Sequence, residues 1–407
     1  MCGVQSRPFT LAEAPWELAS PRQAHAPRGA PPIRSAQGPA GRTYTDAMST
    51  DSLATPSAAP DGTPPPPTLR VESAAVYLAL IAGGVGALYG LVVALTYPDL
   101  PLRGEWSFGI FAAIGSSAVA AVLSAVGYWR SRNRPGQEWR RSLASWKFTV
   151  NTISVVIVHT ALAFLGTYVV FLVLSLGFIG LPVVTFWAVV LMAVTLGMTA
   201  YLVFLSVARM TTQRMSSLLM AFIVLGTLSA MVTTPDEEWW TVHFSHLGTF
   251  DELSSWIFNG TLIAGGLLVT TFAVYIANDM RALAAEGRLS NRASPRTVST
   301  LFVIMGVMLA CVGIFPVDVS MPLHNLSASG MAVMFLVLLI GGPRLLRGMP
   351  RTYFVSAWSF LGALVASIVL FAVQYFLLTA FEIIVFALIF GWIAVFIRFL
   401  GVAGQKD

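Results

Sequence analysis

The side chains of this chain that have the means to do chemistry gather in two short stretches. One reads Asp236-Glu237-Glu238-Trp239-Trp240-Thr241-Val242-His243-Phe244-Ser245-His246-Leu247-Gly248, and the other contains Asp318 and His324. Two imidazoles three residues apart share a face if their segment is helical. With Asp318 and His324, the pair His243 and His246 would offer nitrogen and oxygen ligands of the kind zinc takes, which makes zinc the candidate cofactor. The same residues also allow nucleophilic catalysis: Ser245 activated by His246, with Asp318 and His324 completing an acid–base set and Asp318 orienting the imidazole. Neither spacing is a recognised catalytic signature. A third reading gives these residues structural work, capping helix ends and hydrogen-bonding loop backbone.

The elements that would position them are membrane spans. Of the 407 residues, 56% are hydrophobic and only 11% charged, and the mean hydropathy is +0.75, outside the range of soluble domains. Apolar stretches long enough to cross a bilayer run over 74–96, 107–129, 148–174, 183–207, 216–233, 254–277, 298–315, 327–342, 353–376 and 381–399. The expected fold is all-α: a polytopic integral membrane bundle of about ten transmembrane helices, preceded by a disordered Pro/Ala-rich N-terminal tail. The parts are a tail over 1–70, a four-helix region over 71–210, a six-helix domain over 211–400 and a short tail over 401–407. The tail carries the run Pro64-Pro65-Pro66-Pro67 and no apolar periodicity, the composition of a disordered segment. No apolar signal core precedes Val71, so the first span is expected to act as the insertion signal. Met48 opens an alternative leader, Met48-Ser49-Thr50-Asp51.

Loop charges orient the bundle. Lys and Arg are held on the cytoplasmic side during insertion, whereas Asp and Glu matter little. One set of alternate loops holds Arg130, Arg132, Arg134, Arg140, Arg141, Lys147, Arg209, Arg214, Arg281, Arg288, Arg292, Arg296, Arg344, Arg347, Arg351, Arg398 and Lys406; in the other Arg103 is the lone basic residue. The expectation is a multi-pass plasma-membrane protein with both termini in the cytoplasm and the histidine-rich stretches outside. The same asymmetry accounts for the pI of about 9.4, so no nucleic-acid partner is expected, and membrane lipids are the implied partners. The arginines of the first basic loop would suit anionic headgroups as well as topology. Trp106, Trp129, Trp146, Trp239, Trp240 and Trp256 fall near span ends, where indoles anchor at the interface.

Inside the spans polar groups are few. His159 is the one ionisable side chain well away from the ends; it is either a hydrogen-bonded packing residue or a functional group. Glu382 and Asp279 lie near opposite ends of their spans, and a carboxylate at mid-depth, which ion-coupled transport favours, is not evident. Cys2 and Cys311 can build neither a disulfide framework nor a thiolate site. Gly83-Gly84-Val85-Gly86 and Gly265-Gly266 read as close helix packing.

The segments Ser245-His246-Leu247-Gly248, Ile257-Phe258-Asn259-Gly260-Thr261-Leu262 and Val312-Gly313-Ile314-Phe315-Pro316-Val317-Asp318, followed by His324, resemble a six-span prokaryotic membrane family, the domain of unknown function numbered nine-nine-eight. The resemblance covers about 213–400 and leaves the first four spans outside. It implies a membrane protein of unassigned activity, distantly similar to DRAM- and Sfk-type membrane families and to a Golgi lipid-anchor remodelling factor. The family often has an acidic residue where His246 stands, so a site needing a carboxylate there is altered. Ser245, Asn259, Asp318 and His324 match. Pro316 would end a span and Gly313 permit close packing, while Asn259 is suited to bonding across helices.

Two function classes follow. The preferred one is non-catalytic: a carrier, a lipid-binding protein or a partner subunit. The alternative is a lipid-modifying, hydrolase-like enzyme with an outer-leaflet Ser/His/Asp or metal site.

Overall fold

The computed structural model describes residues 67–403 apart from 105, 135, 136, 290 and 292. The expected disordered tail up to residue 66, the alternative start at Met48 and the last four residues lie outside the described residues. Ten long helices follow one another: α1 (Pro67–Thr96), α2 (Phe108–Ser131), α3 (Ser145–Gly177), α4 (Thr185–Ala208), α5 (Thr212–Thr233), α6 (Leu253–Ala285), α7 (Ser294–Ile314), α8 (Val317–Leu345), α9 (Arg351–Ala372) and α10 (Leu378–Ala403). All ten are long and apolar enough to cross a membrane, so the chain is a multi-pass membrane protein.

Boundaries shift at a few ends. Helix α1 starts at Pro67 rather than 74, with proline at the position where its missing N–H costs nothing. Helix α8 is the largest departure, opening at Val317 rather than 327. A break at Ser320 (φ −161°, ψ 92°) ahead of Pro322 makes its first residues a separate turn, as a proline interrupting the helical ladder requires.

The chain runs up and down between two ends. At the basic end lie the two arginine-rich connections after α2 and α6; at the acidic end lie the long α5–α6 loop, the tight α7–α8 turn and the start of α10. Helix α6 is the hub, with 72% of its apolar 18-residue stretch buried against 17% for α9. It meets α7 almost backbone to backbone: a Cβ on Gly266 would lie 2.4 Å from the Gly306 carbonyl oxygen, and one on Gly306 would lie 2.7 Å from that of Gly266.

The first four helices are welded to the rest. One continuous apolar core runs from Tyr128, Phe148 and Val158 through Phe272, Phe302 and Phe335 to Trp392 and Phe396; a smaller one around Phe108, Phe171 and Met192 lies within α1–α4. The weld has a polar centre in Arg140, one of the basic-loop arginines read as suited to anionic headgroups. Its guanidinium is 1% exposed, donates to Ser131 Oγ at 2.6 Å and the Met210 carbonyl at 3.3 Å, and lies 4.9 Å and 5.0 Å from the rings of Tyr128 and Tyr275. The two tyrosine hydroxyls bond each other at 3.1 Å, joining α2 to α6.

Candidate functional site

The histidine-rich loop folds into two short 3₁₀ turns, Trp239–Thr241 and Phe244–Gly248, with the second pressed against α6, α8 and α10. The sequence dictates that seat. Asn259, one turn and a half into α6, donates to the Gly248 carbonyl at 2.8 Å. A Cβ on Gly248 would meet Asn259 Oδ1 at 2.5 Å and the Phe258 ring at 2.9 Å, so a larger residue would push both side chains aside. Gly313 fits the other side in the same way, since its Cβ would lie 2.5 Å from the Asn259 carbonyl oxygen. The residues that carry the family resemblance are thus mutual neighbours at the acidic end of α6, α7 and α8.

The acid and base groups are each engaged separately. Ser245 is buried and shares a 3.1 Å hydrogen bond with Nδ1 of His243, not His246. His246 instead faces Asp236, Nε2 to Oδ2 at 3.1 Å, and Thr249, Nδ1 to Oγ1 at 3.2 Å. Asp318 accepts the backbone N–H of Phe250 at 3.0 Å instead of orienting an imidazole. Phe250 has φ +63°, a left-handed conformation costly for a side chain of this size, and the Asp318 carboxylate holds that strained turn in place. His324 is buried and donates Nδ1–H to the Phe315 carbonyl at 3.0 Å, closing the α7–α8 turn over Pro316.

The expected zinc set of His243, His246, Asp318 and His324 is therefore not assembled: among the described residues no three of His, Cys, Asp and Glu stand where they would share a metal ion. The triad of Ser245, His246 and Asp318 is not formed either, its hydroxyl having the other histidine as partner. Burial, with the positive fields of His246 and His324 beside it, holds His243 below the ordinary imidazole value, so its ring is neutral at pH 7.

Sequence reasoning missed the residue that fixes this loop. Glu382 of α10 accepts the N–H of Phe244 at 2.7 Å and of Ser245 at 3.3 Å. An acidic side chain just inside the last apolar stretch was the available signal.

His159 belongs elsewhere. It is 3% exposed, donates Nδ1–H to the Val155 carbonyl at 2.8 Å and meets Ser206 Oγ of α4 through Nε2 at 3.0 Å. Both residues line a groove of about 530 Å³ between α3 and α4, walled by Val170, Val194, Met198 and Leu202 among others. Those four are each more than half exposed, so the groove opens on the membrane-facing side of the bundle.

No curated protein and no solved structure matches this chain. Residues 217–398 match a family described as "Protein of unknown function (DUF998)", a span that takes in Ser245, Asn259, Asp318, His324 and Glu382 but not the α3–α4 groove. The match thus covers most of the six-helix C-terminal segment, α5 to α10, of this membrane protein, and supports its likeness to the DUF998 membrane family.

Proposed function

We propose that this protein is a non-catalytic lipid-binding membrane protein, with the acidic-end cluster acting as a structural clamp and the α3–α4 groove as the binding site. The groove carries the reading. It has the volume of a ligand site and the usual make-up of one, apolar walls with few polar groups, and it is open to the phase in which lipid is the solvent. The clamp reading is supported by the engagement of Glu382, Asp318, Asn259 and His324, each bonded to loop or turn backbone. The asymmetry of Lys and Arg supports a plasma-membrane protein with the basic end and both termini in the cytoplasm.

The test is lipid retention. Protein purified in mild detergent is expected to carry lipid in native mass spectrometry. Gly166→Phe should lose it: Gly166 lines the groove and a Cβ there meets nothing within 4 Å, so the ring fills the groove without a backbone clash. Met198→Trp is a second blocking variant from the opposite wall. Lipid retained in both folded variants overturns the reading.

The lipid-modifying alternative rests on the Ser245–His243 hydrogen bond. It predicts a lipid class that shifts on gene deletion and is restored by wild type but not by Ser245→Ala protein present in equal amount.

A further inference from the structure

We infer that the α3–α4 groove takes one acyl chain of an anionic phospholipid, whose phosphate is held toward the basic end by Arg214, with Arg134 adding positive charge at the same end of α4; this rests on the lipid-binding reading. The groove is long, with threonine hydroxyls of Thr167, Thr195 and Thr199 along it and His159 and Ser206 together at one end. Its lining spans residues 159–171 of α3 and 194–206 of α4, a rise of about 18 Å along each helix at 1.5 Å per residue. That is a slot for an extended hydrocarbon chain. Successive spans run in opposite directions, so His159, near the middle of α3, meets Ser206 in the last turn of α4, the side of the groove nearer the basic end, while Val170 and Val194 lie toward the acidic end.

The polar end is built for a headgroup. With Nδ1–H of His159 committed to a carbonyl, Nε2 shares a hydrogen bond with the Ser206 hydroxyl, whose oxygen has a second lone pair for a ligand hydroxyl. Leu218 of α5 completes the lining here, and Arg214, one turn earlier, projects on the same face of α5. Its Nη1 lies 3.5 Å from the Leu205 carbonyl oxygen, next to Ser206, with the side chain exposed. Arg134 donates to the Ala208 carbonyl at 2.7 Å with its guanidinium over the Phe204 ring, so it adds positive charge at the same helix end from the other face of α4. The nearby Glu72 is taken by Arg209, at 2.6 Å. Among the described residues neither Arg134 nor Arg214 is paired with a carboxylate. An apolar slot ending in a hydroxyl acceptor and two uncompensated arginines matches a phospholipid bearing net negative charge, since Arg presents a fork that suits phosphate oxygens.

The experiment uses full-length protein, delipidated in detergent and offered an equimolar mixture of phosphatidylglycerol and phosphatidylcholine with identical chains, and read by native mass spectrometry. Wild type is expected to favour phosphatidylglycerol. Arg214→Gln should cut that preference about fivefold, equivalent to ~1 kcal/mol, the contribution of one basic residue near a headgroup, while still binding both lipids. Adding Arg134→Gln should remove the rest of the preference. Gly166→Phe should lose both lipids. A wild type indifferent to headgroup, or an Arg214→Gln protein with undiminished preference, overturns the anionic-lipid assignment and leaves the groove reading standing. Both lipids bound by Gly166→Phe overturns the groove itself, as does a wild type that binds neither. Displacement of phosphatidylglycerol by millimolar inorganic phosphate would show a site for soluble anions and also overturn the assignment.

Discussion

Glu382 accepts the backbone N–H of Phe244 across 2.7 Å, tying the α5–α6 loop to the last helix of the bundle. A carboxylate receiving a backbone donor makes a charge-assisted bond of the stronger kind, and here the same oxygen also receives Ser245 N–H. Glu382→Ala strips both donors of their acceptor at a site water reaches poorly, and is expected to cost about 2–4 kcal/mol. Glu382→Gln keeps an acceptor oxygen and should lose less than half of that. Thermal unfolding in detergent gives the order, and limited proteolysis should show cutting within 234–252 in the alanine variant first. Equal melting of wild type and Glu382→Ala would remove Glu382 from the clamp.

Arg140 makes a comparable prediction for the other end. Its guanidinium serves two hydrogen-bond acceptors and lies near three aromatic rings, those of Tyr128, Trp139 and Tyr275. Lysine offers neither the planar fork nor the stacking surface. Arg140→Lys should therefore destabilise by about 1–3 kcal/mol despite preserving the charge. A double-mutant cycle with Tyr275→Phe should return a coupling above ~0.5 kcal/mol, as contacting residues do. Additivity would mean that the guanidinium does not act through the tyrosine.

How far the sequence carries depends on which interaction sets the outcome. Hydropathy alone places all ten spans, because lipid demands a fixed length of apolar helix whatever the neighbours are. It fails at α8, where Pro322 and the Ser320 break put a polar turn, Asp318 to His324, at the start of the helix and hide its first residues from an apolar count. The chemical residues were identifiable by type, but their partners were not. The pairing of Ser245 with His243 rather than His246, and the commitment of Asp318 to Phe250, follow from the loop's backbone path. The burial of Arg140 was not legible because topology explains any loop arginine equally well; its partners include Tyr275, more than a hundred residues away. The α3–α4 groove leaves no periodic trace at all, since its wall residues look like any lipid-facing side chains.

The loop's stability should depend on pH through His243. Burial and the fields of His246 and His324 lower its folded-state affinity for a proton, so between the unfolded value near 6.5 and the lower folded value the unfolded chain binds more protons. Stability then rises with pH across that window; its contribution is present above the unfolded value and is lost as pH falls toward the folded one. Asp236, His246, His324 and Glu382 also stand at this site, so the wild-type curve must be compared with that of His243→Gln. The variant is expected to lose part of the acid-side decline between pH 7 and 5 in thermal melts. Superimposable curves would place the titrating group elsewhere.

Two glycines offer opposite outcomes for one substitution. At Gly266 an added Cβ meets the Gly306 carbonyl oxygen at 2.4 Å and the Ala310 nitrogen at 2.6 Å, both backbone atoms that cannot rotate aside. Gly266→Ala must push α6 from α7 and should cost about 1–3 kcal/mol or more, the range for overpacked cores. At Gly166 the same methyl meets nothing within 4 Å, and alanine is the better helix former by roughly 1 kcal/mol in water. Gly166→Ala should leave melting unchanged or slightly raised, with lipid still bound, because a methyl narrows the groove without filling it. Melting of the two alanine variants side by side decides the matter: a destabilised Gly166→Ala protein would mean that α3 is packed where the groove should be open.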